Sequence, residues 1–299
     1  MKICVTTVVS ANHFQYYMPI FIYAINKAFP DVDIKIFLMG KIKKKVRRAL
    51  EHCRNYEIVE NQFLRYKNRA STCNSLRFLL PKKAFLEYDY LYITDIDFLH
   101  VPSNMFSVFI KEIETSGVPY AAVGGATSKP FRDSIAPGGW VKEFKRIACG
   151  YVMLKVPEWF DKTKAIVKYY NEIVRSGGHD SIDKHPSCSY REYDEVMFAR
   201  ICKKAGLKTP KKKMTFISGE PLNPRYRNIH LGDFKFEKRY SDMKKMRSRI
   251  TDSTLKKFQL LEKDEVWQGI CDIVSEKTEI RVALRRLGKH KKRRVKSLK

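Results

Sequence analysis

Two carboxylates stand two residues apart in Thr94-Asp95-Ile96-Asp97, directly after the run Tyr88-Asp89-Tyr90-Leu91-Tyr92-Ile93. In extended backbone, side chains at i and i+2 point to the same side. Two hard oxygen donors on one side suit Mn²⁺ or Mg²⁺, which also bind diphosphate oxygens. A cation held there would neutralise a departing nucleoside diphosphate. The same spacing occurs in Asp31-Val32-Asp33, which follows Pro30 and precedes a strand, and reads as a surface turn. Context favours the later pair, because Tyr90-Leu91-Tyr92-Ile93 is apolar enough to be a central strand and the acids lie where it ends. A solvated turn or the cap of the next helix is the bland alternative.

Other residues could also do chemistry. Asp194 and Glu195, in Tyr193-Asp194-Glu195, read from the residues alone as acids in a first helical turn, which the helix dipole favours. His179, Asp180, Asp183 and His185 cluster in a Gly- and Ser-containing stretch with irregular spacing, which reads as a solvated or acceptor-facing loop. Trp140 and Trp159 could stack on sugar rings or fill the core. The chain has no Gly-x-x-x-x-Gly-Lys, no Gly-x-Gly-x-x-Gly and no Gly-x-Ser-x-Gly, so P-loop, dinucleotide-cofactor and serine-hydrolase chemistry lose support.

The elements that must position these residues follow from periodicity. Ile3–Val9 and Asp33–Met39 read as buried strands, with a helix over 16–28 between them. A basic helix follows Gly40, with six Lys or Arg in residues 41–48. A short strand is expected over 57–59 and an amphipathic helix over 72–87, which Pro81 can split. Further strands are expected over 88–93, 118–123 and 147–156, and helices over 103–114, 158–175 and 191–205. Residues 124–146 and 176–189 read as loops, and the chain beyond about 240 as helices and a basic tail. Strands alternating with helices predict an α/β fold, a mostly parallel sheet between helical layers, with ligands at the carboxyl ends of the strands.

Composition bounds the rest. With 44% hydrophobic and 12% aromatic residues, the 299-residue chain can bury a sizeable core. The net charge of +27 predicts acidic partners such as nucleotides, anionic lipids or nucleic acid. Residues 281–299 hold ten of the basic residues and no acid. Seven cysteines without a Cys-x-x-Cys pair argue against a zinc knuckle or a disulfide framework and fit a reducing cytosol. The N-terminus lacks the shape of a signal peptide and no apolar run reaches the length of a membrane span, so cytoplasmic location with peripheral membrane contact is expected.

An ordered series of short motifs over residues 1–236 resembles the retaining GT-A glycosyltransferases, above all family 8, which includes bacterial lipooligosaccharide galactosyltransferases and glycogenin-like proteins. The series runs Asn74-Ser75-Leu76-Arg77-Phe78-Leu79-Leu80-Pro81, Tyr90 to Asp97, Cys149-Gly150-Tyr151-Val152-Met153-Leu154, Tyr193-Asp194-Glu195-Val196-Met197-Phe198, and Ile229-His230-Leu231-Gly232-Asp233-Phe234-Lys235-Phe236. The resemblance implies a GT-A domain over 1–240 and a helical, basic extension over 241–299. It implies a Mn²⁺ or Mg²⁺ site from Asp95, Asp97 and His230. Donor contacts are implied for Thr6, Thr7, Phe14, Arg77, Asp95, Gly232 and Lys235. Asp194-Glu195 also resembles the Asp-Glu pair of family 6, which puts Glu195, or else Asp194, under the anomeric carbon. The implied reaction moves a hexose from a nucleotide sugar, a UDP-hexose above all, to a glycan or lipid-linked glycan with retention.

The chain departs from the family pattern at three places. The loop after the first strand reads Ser10-Ala11-Asn12-His13-Phe14 instead of carrying acids and a Tyr. Ala148 replaces an Asn, and the late motif lacks a Pro-Trp ending. Two rivals remain at this level. A sugar nucleotidyltransferase shares the need for metal and diphosphate but releases pyrophosphate. A basic nucleic-acid-binding protein on a non-catalytic α/β fold lacks support from any recognition module with interleaved aromatics. For 281–299, an anionic membrane surface is the favoured partner, at about 1 kcal/mol per basic residue.

Overall fold

The computed structural model describes residues 1–64, 70–123, 148–175, 198, 201–208, 229–231, 252–275 and 280. Strand β1 (Ile3–Ser10) leads through a 3₁₀ turn (His13–Tyr17) into α1 (Met18–Ala28), then β2 (Asp33–Met39), α2 (Lys44–Leu50) and β3 (Tyr56–Val59). Next come α3 (Ala70–Leu76), a 3₁₀ turn (Lys82–Ala84), β4 (Tyr90–Thr94), β5 (Phe98–Leu99) and α4 (Met105–Ser116). They are followed by β6 (Tyr120–Val123), β7 (Ala148–Lys155), α5 (Val156–Arg175), β8 (Ile229–His230), α6 (Asp252–Glu262) and α7 (Glu265–Val274).

The sheet has six strands in the order β3-β2-β1-β4-β7-β6. β3, β2, β1 and β4 pair in parallel, whereas β7 runs antiparallel to both β4 and β6. The class is the expected α/β with a mostly parallel sheet, in which five strands run the same way and β7 runs against them. After β3 the chain crosses back to place β4 on the far side of β1. The strand order therefore reverses between β1 and β4, and the crevice outside their carboxyl ends is where such sheets bind ligands.

Alternation along each strand builds two cores. From β1, Val5 and Val9 face the layer of α1, α2, α4 and α7, while Cys4 and Val8 face the layer of α3 and α5. β4 repeats this, with Tyr90 and Tyr92 on the first side and Leu91 and Ile93 on the second. Trp159 is 1% exposed and stacks on Phe198 at 5.5 Å, so it is a core residue, not a sugar platform.

The sequence differs from the structure mainly at element ends. The helix expected over 72–87 is two short pieces, α3 and the 3₁₀ turn after Pro81, because proline lacks the amide and disfavours helical backbone before it. The helix expected from 16 begins as a 3₁₀ turn and becomes α-helical at Met18, with Pro19 in its first turn, where a missing amide costs nothing. Gly117 and Gly206 take left-handed backbone at φ 65° and 64°, which stops the preceding turns.

The helices beyond residue 250 are packed into the first core through Phe258, Leu261, Trp267, Ile270 and Val274. Asp264 fixes them. Its side chain caps α7, accepting from the amides of Val266 at 3.0 Å and Trp267 at 3.2 Å. It also accepts from Tyr23 Oη of α1 at 2.8 Å and lies 2.7 Å from Lys27 Nζ. Burial pushes the carboxyl up, but the bonds from Lys27, Tyr23 and the Trp267 amide outweigh it and hold the group at about 2, below the ordinary 3.8. The folded pKa is depressed, so this stabilisation is complete above about pH 4 and is lost as pH falls towards about 2. Asp264→Asn keeps a capping oxygen but removes the charge. It is expected to cost about 2 kcal/mol at neutral pH and to flatten the acid limb between those values, as read by urea unfolding at several pH values.

Candidate active site

The site begins where β4 runs out. Asp95 follows the last strand residue, Ile96 and Asp97 form a turn, and the Phe98 amide reaches back to the Asp95 carbonyl at 3.4 Å. The extended backbone assumed for Asp95 and Asp97 therefore stops at Thr94, and the two acids occupy a turn at the carboxyl edge. Both are half-buried.

Arg77 is held just beyond the end of α3 and is 2% exposed. Its Nη1 forms a close ion pair with Asp95 Oδ1. The guanidinium also lies 5.3 Å over the Phe78 ring. The structure thus brings together Arg77 and Asp95, two residues that the sequence separates by a whole 3₁₀ turn and a strand. A buried cation against one oxygen of Asp95 fixes how that carboxylate presents itself, and it gives Arg77 a role through Asp95.

The late motif returns to the same turn. β8 pairs antiparallel with β5, with Phe98 opposite His230 and Leu99 opposite Ile229. The Leu231 amide donates to the Asp97 carbonyl at 2.8 Å, and Leu231 itself is buried. The backbone of His230 is therefore one ladder position from Asp97, across more than 130 residues of chain.

The carboxyl end of β1 forms the opposite wall. Thr6 and Thr7 are buried in the strand, and the Thr6 hydroxyl donates to the Lys35 carbonyl of β2 at 2.7 Å. Phe14 is half-buried in the 3₁₀ turn after β1, its ring 6.3 Å from that of Tyr17. Gln15, which the sequence did not single out, is fully buried. Its amide nitrogen bonds the Ala11 carbonyl, and its Oε1 accepts from the Lys43 amide at 2.8 Å. It clamps the loop after β1 to the start of α2. The signal in the sequence was a lone amide within the aromatic run Phe14-Gln15-Tyr16-Tyr17. Gly40 supports the same wall. It adopts φ 141°, and a Cβ there would lie 2.6 Å from that of Ala11, so only glycine lets the β1 and β2 ends approach this closely.

His100 was also missed. It is 1% exposed, wedged edge-on between Phe21 at 5.5 Å and Tyr92 at 5.9 Å, under the strand that carries the acids. Among the described residues, the free cysteines offer no nucleophile. Burial pushes Cys4, Cys53, Cys73 and Cys271 up to about 12, far from the thiolate at neutral pH. Asp194, Glu195, Gly232, Lys235, Trp140, the His179–His185 cluster and residues 281–299 lie outside the described residues. Among the described residues, no helix is long and apolar enough to cross a membrane.

Oxygen donors in a half-buried turn, one of them oriented by a buried guanidinium, fit a hard divalent cation such as Mn²⁺ or Mg²⁺.

No family model matches the chain, and no curated protein matches it in sequence. Among solved structures, it is similar to the galactosyltransferase LgtC in complex with donor and acceptor sugar analogues. There the identity is 13%, the match covers 66% of this chain and 69% of that one, and the TM-score is 0.40. It is also similar to core-mannan synthase A of Aspergillus fumigatus in a Mn/GDP form, at 9% identity over 70% and 71% of the two chains with a TM-score of 0.42. A third is the apo glycosyltransferase GlyE of Streptococcus pneumoniae, at 12% identity over 94% of this chain and 64% of that one, with a TM-score of 0.43.

Proposed function

We propose that the chain is a metal-dependent GT-A glycosyltransferase that moves a hexose from a nucleotide sugar, a UDP-hexose above all, to a glycan or lipid-linked glycan with retention. The observation that carries this reading is the junction at Asp97, where the Leu231 amide meets its carbonyl at 2.8 Å and His230 enters the ladder opposite Phe98. That junction draws the second and the last of the motifs to one turn at the switch point of the sheet, which the nucleic-acid-binding alternative has no reason to do.

In this reading Asp95, Asp97 and His230 would hold Mn²⁺ or Mg²⁺. When bound, the cation supplies charge neutralisation for the diphosphate leaving group. Arg77 orients Asp95 and keeps one of its oxygens turned away from the donor. Phe14 packs against the base from the β1 loop, which Gln15 braces. Lys235 and Gly232 contact the diphosphate, where a cation stabilises the charge that develops as the glycosidic bond breaks. Glu195, or else Asp194, faces the anomeric carbon, either stabilising an oxocarbenium-like transition state or attacking it. Residues 281–299 bind the cytoplasmic face of an anionic membrane, where a lipid-linked acceptor would be met.

The test is a panel of nucleotide sugars incubated with the protein and Mn²⁺ without acceptor. Slow hydrolysis that releases a nucleoside diphosphate and free sugar is expected, with a UDP-hexose the best substrate. Pyrophosphate release from a nucleoside triphosphate and a sugar phosphate would support the nucleotidyltransferase instead.

A further inference from the structure

Helix α2, its cap Lys43 and nearby Lys41 carry more cationic charge than the fold requires. Lys41, Lys43, Lys44, Lys45, Arg47 and Arg48 are all exposed, while Val46, Ala49 and Leu50 supply the buried stripe. The three apolar residues suffice to seat the helix on α1 and α7. The first turn of α2 has no acid, and lysines there oppose the helix dipole. Glu60 pairs with Arg47 at 3.0 Å, but among the described residues Lys41, Lys44 and Arg48 meet no carboxylate. Lys44 and Arg48, four apart, lie on one outward face.

Position gives the charge a use. β2 is parallel to β1 and β4, so Met39 and Gly40 emerge at the same edge of the sheet as Ser10 and Thr94. Lys43 joins the patch to the donor wall, its amide donating to Gln15 and its ammonium lying 5.4 Å over the Tyr16 ring. Within α2 the cations are dispersed over one exposed face with no aromatic among them, which matches a plane of anionic headgroups better than it matches a nucleic acid strand.

We propose that the exposed basic face of α2 is a docking surface for an anionic lipid bilayer, set so that the carboxyl edge of the sheet faces the membrane. This rests on the glycosyltransferase reading only for its purpose, delivery of a membrane-held acceptor; the contact itself follows from the patch. Each basic residue at such a surface contributes about fivefold in binding.

The test uses the full chain and its triple variant Lys41→Gln/Lys44→Gln/Arg48→Gln, sedimented with vesicles of phosphatidylcholine alone or mixed equally with phosphatidylglycerol. The three residues are exposed, so the melting temperature and donor hydrolysis in solution should match the unaltered chain. Hydrolysis absent from both proteins counts against the function proposed above and leaves the vesicle result to stand by itself. The expected result is binding to the anionic vesicles only, weakened tenfold or more in the variant and abolished for both by high salt. A smaller loss overturns the proposal. So does a variant that loses affinity for single-stranded RNA while its vesicle binding stays the same.

Discussion

Asp97→Ala is expected to lower donor hydrolysis roughly 10³-fold while leaving the melting temperature almost unchanged. The two halves of this expectation have separate causes. The Asp97 carbonyl accepts from the Leu231 amide at 2.8 Å, and an alanine keeps that carbonyl. Its side chain is half-buried at a turn, so removing it opens no core cavity. What disappears is one of the two carboxylates proposed to hold the cation. Losing a ligand at a leaving-group site costs transition-state stabilisation of about 4 kcal/mol, and raising Mn²⁺ should recover only part of it. Hydrolysis rates across a metal titration, set beside calorimetric melting, check both halves. A large drop in melting temperature would mean that the turn is structural.

Arg77→Ala acts in the opposite way, on stability first. The guanidinium is 2% exposed and pairs with an Asp95 side chain that is 28% exposed. Truncation leaves a carboxylate facing a void in a partly desolvated place, which costs about 3 kcal/mol. The stem of Arg77 and its position over Phe78 are lost as well. Arg77→Met with Asp95→Asn removes both charges and keeps most of the volume. That pair should recover the greater part of the lost stability and none of the hydrolysis, since Asp95 no longer offers a carboxylate. Urea unfolding of the single and double variants separates the two contributions. If Arg77→Ala alone unfolds at the same denaturant concentration as the unaltered chain, the buried pair is not what holds Asp95.

The α/β class, the buried strands and the end of β4 could be read from the chain because each rests on local patterning. Ile3–Ser10 and Asp33–Met39 are β-branched or apolar runs of strand length, and Gly40 punctuates the second. The order β3-β2-β1-β4-β7-β6 could not be read, since pairing depends on which hydrophobic faces meet at long range. The same limit explains the site. Asp95-Ile96-Asp97 is visible as spacing, but the turn that bends it is set by β5 finding β8, a contact between distant segments. Arg77 is expected from the resemblance to touch the donor, and nothing local in the chain shows that the fold buries it against Asp95. Gln15 and His100 are single polar residues among aromatics, and nothing local distinguishes a clamp or a wedged ring from a solvated side chain. The helices beyond residue 250 show a clear apolar stripe, yet their tie through Asp264 to Tyr23 and Lys27 of α1 is invisible before folding.

In the function proposed above, the Asp95–Asp97 turn binds a nucleoside diphosphate through a divalent cation. Calorimetric titration of UDP into the full chain, with Mn²⁺ and after its removal by chelation, tests it most directly. Mn²⁺ is expected to tighten UDP binding by about tenfold or more, and Asp97→Ala to erase the difference. Equal affinity with and without the metal, or a metal effect that survives Asp97→Ala, would contradict it.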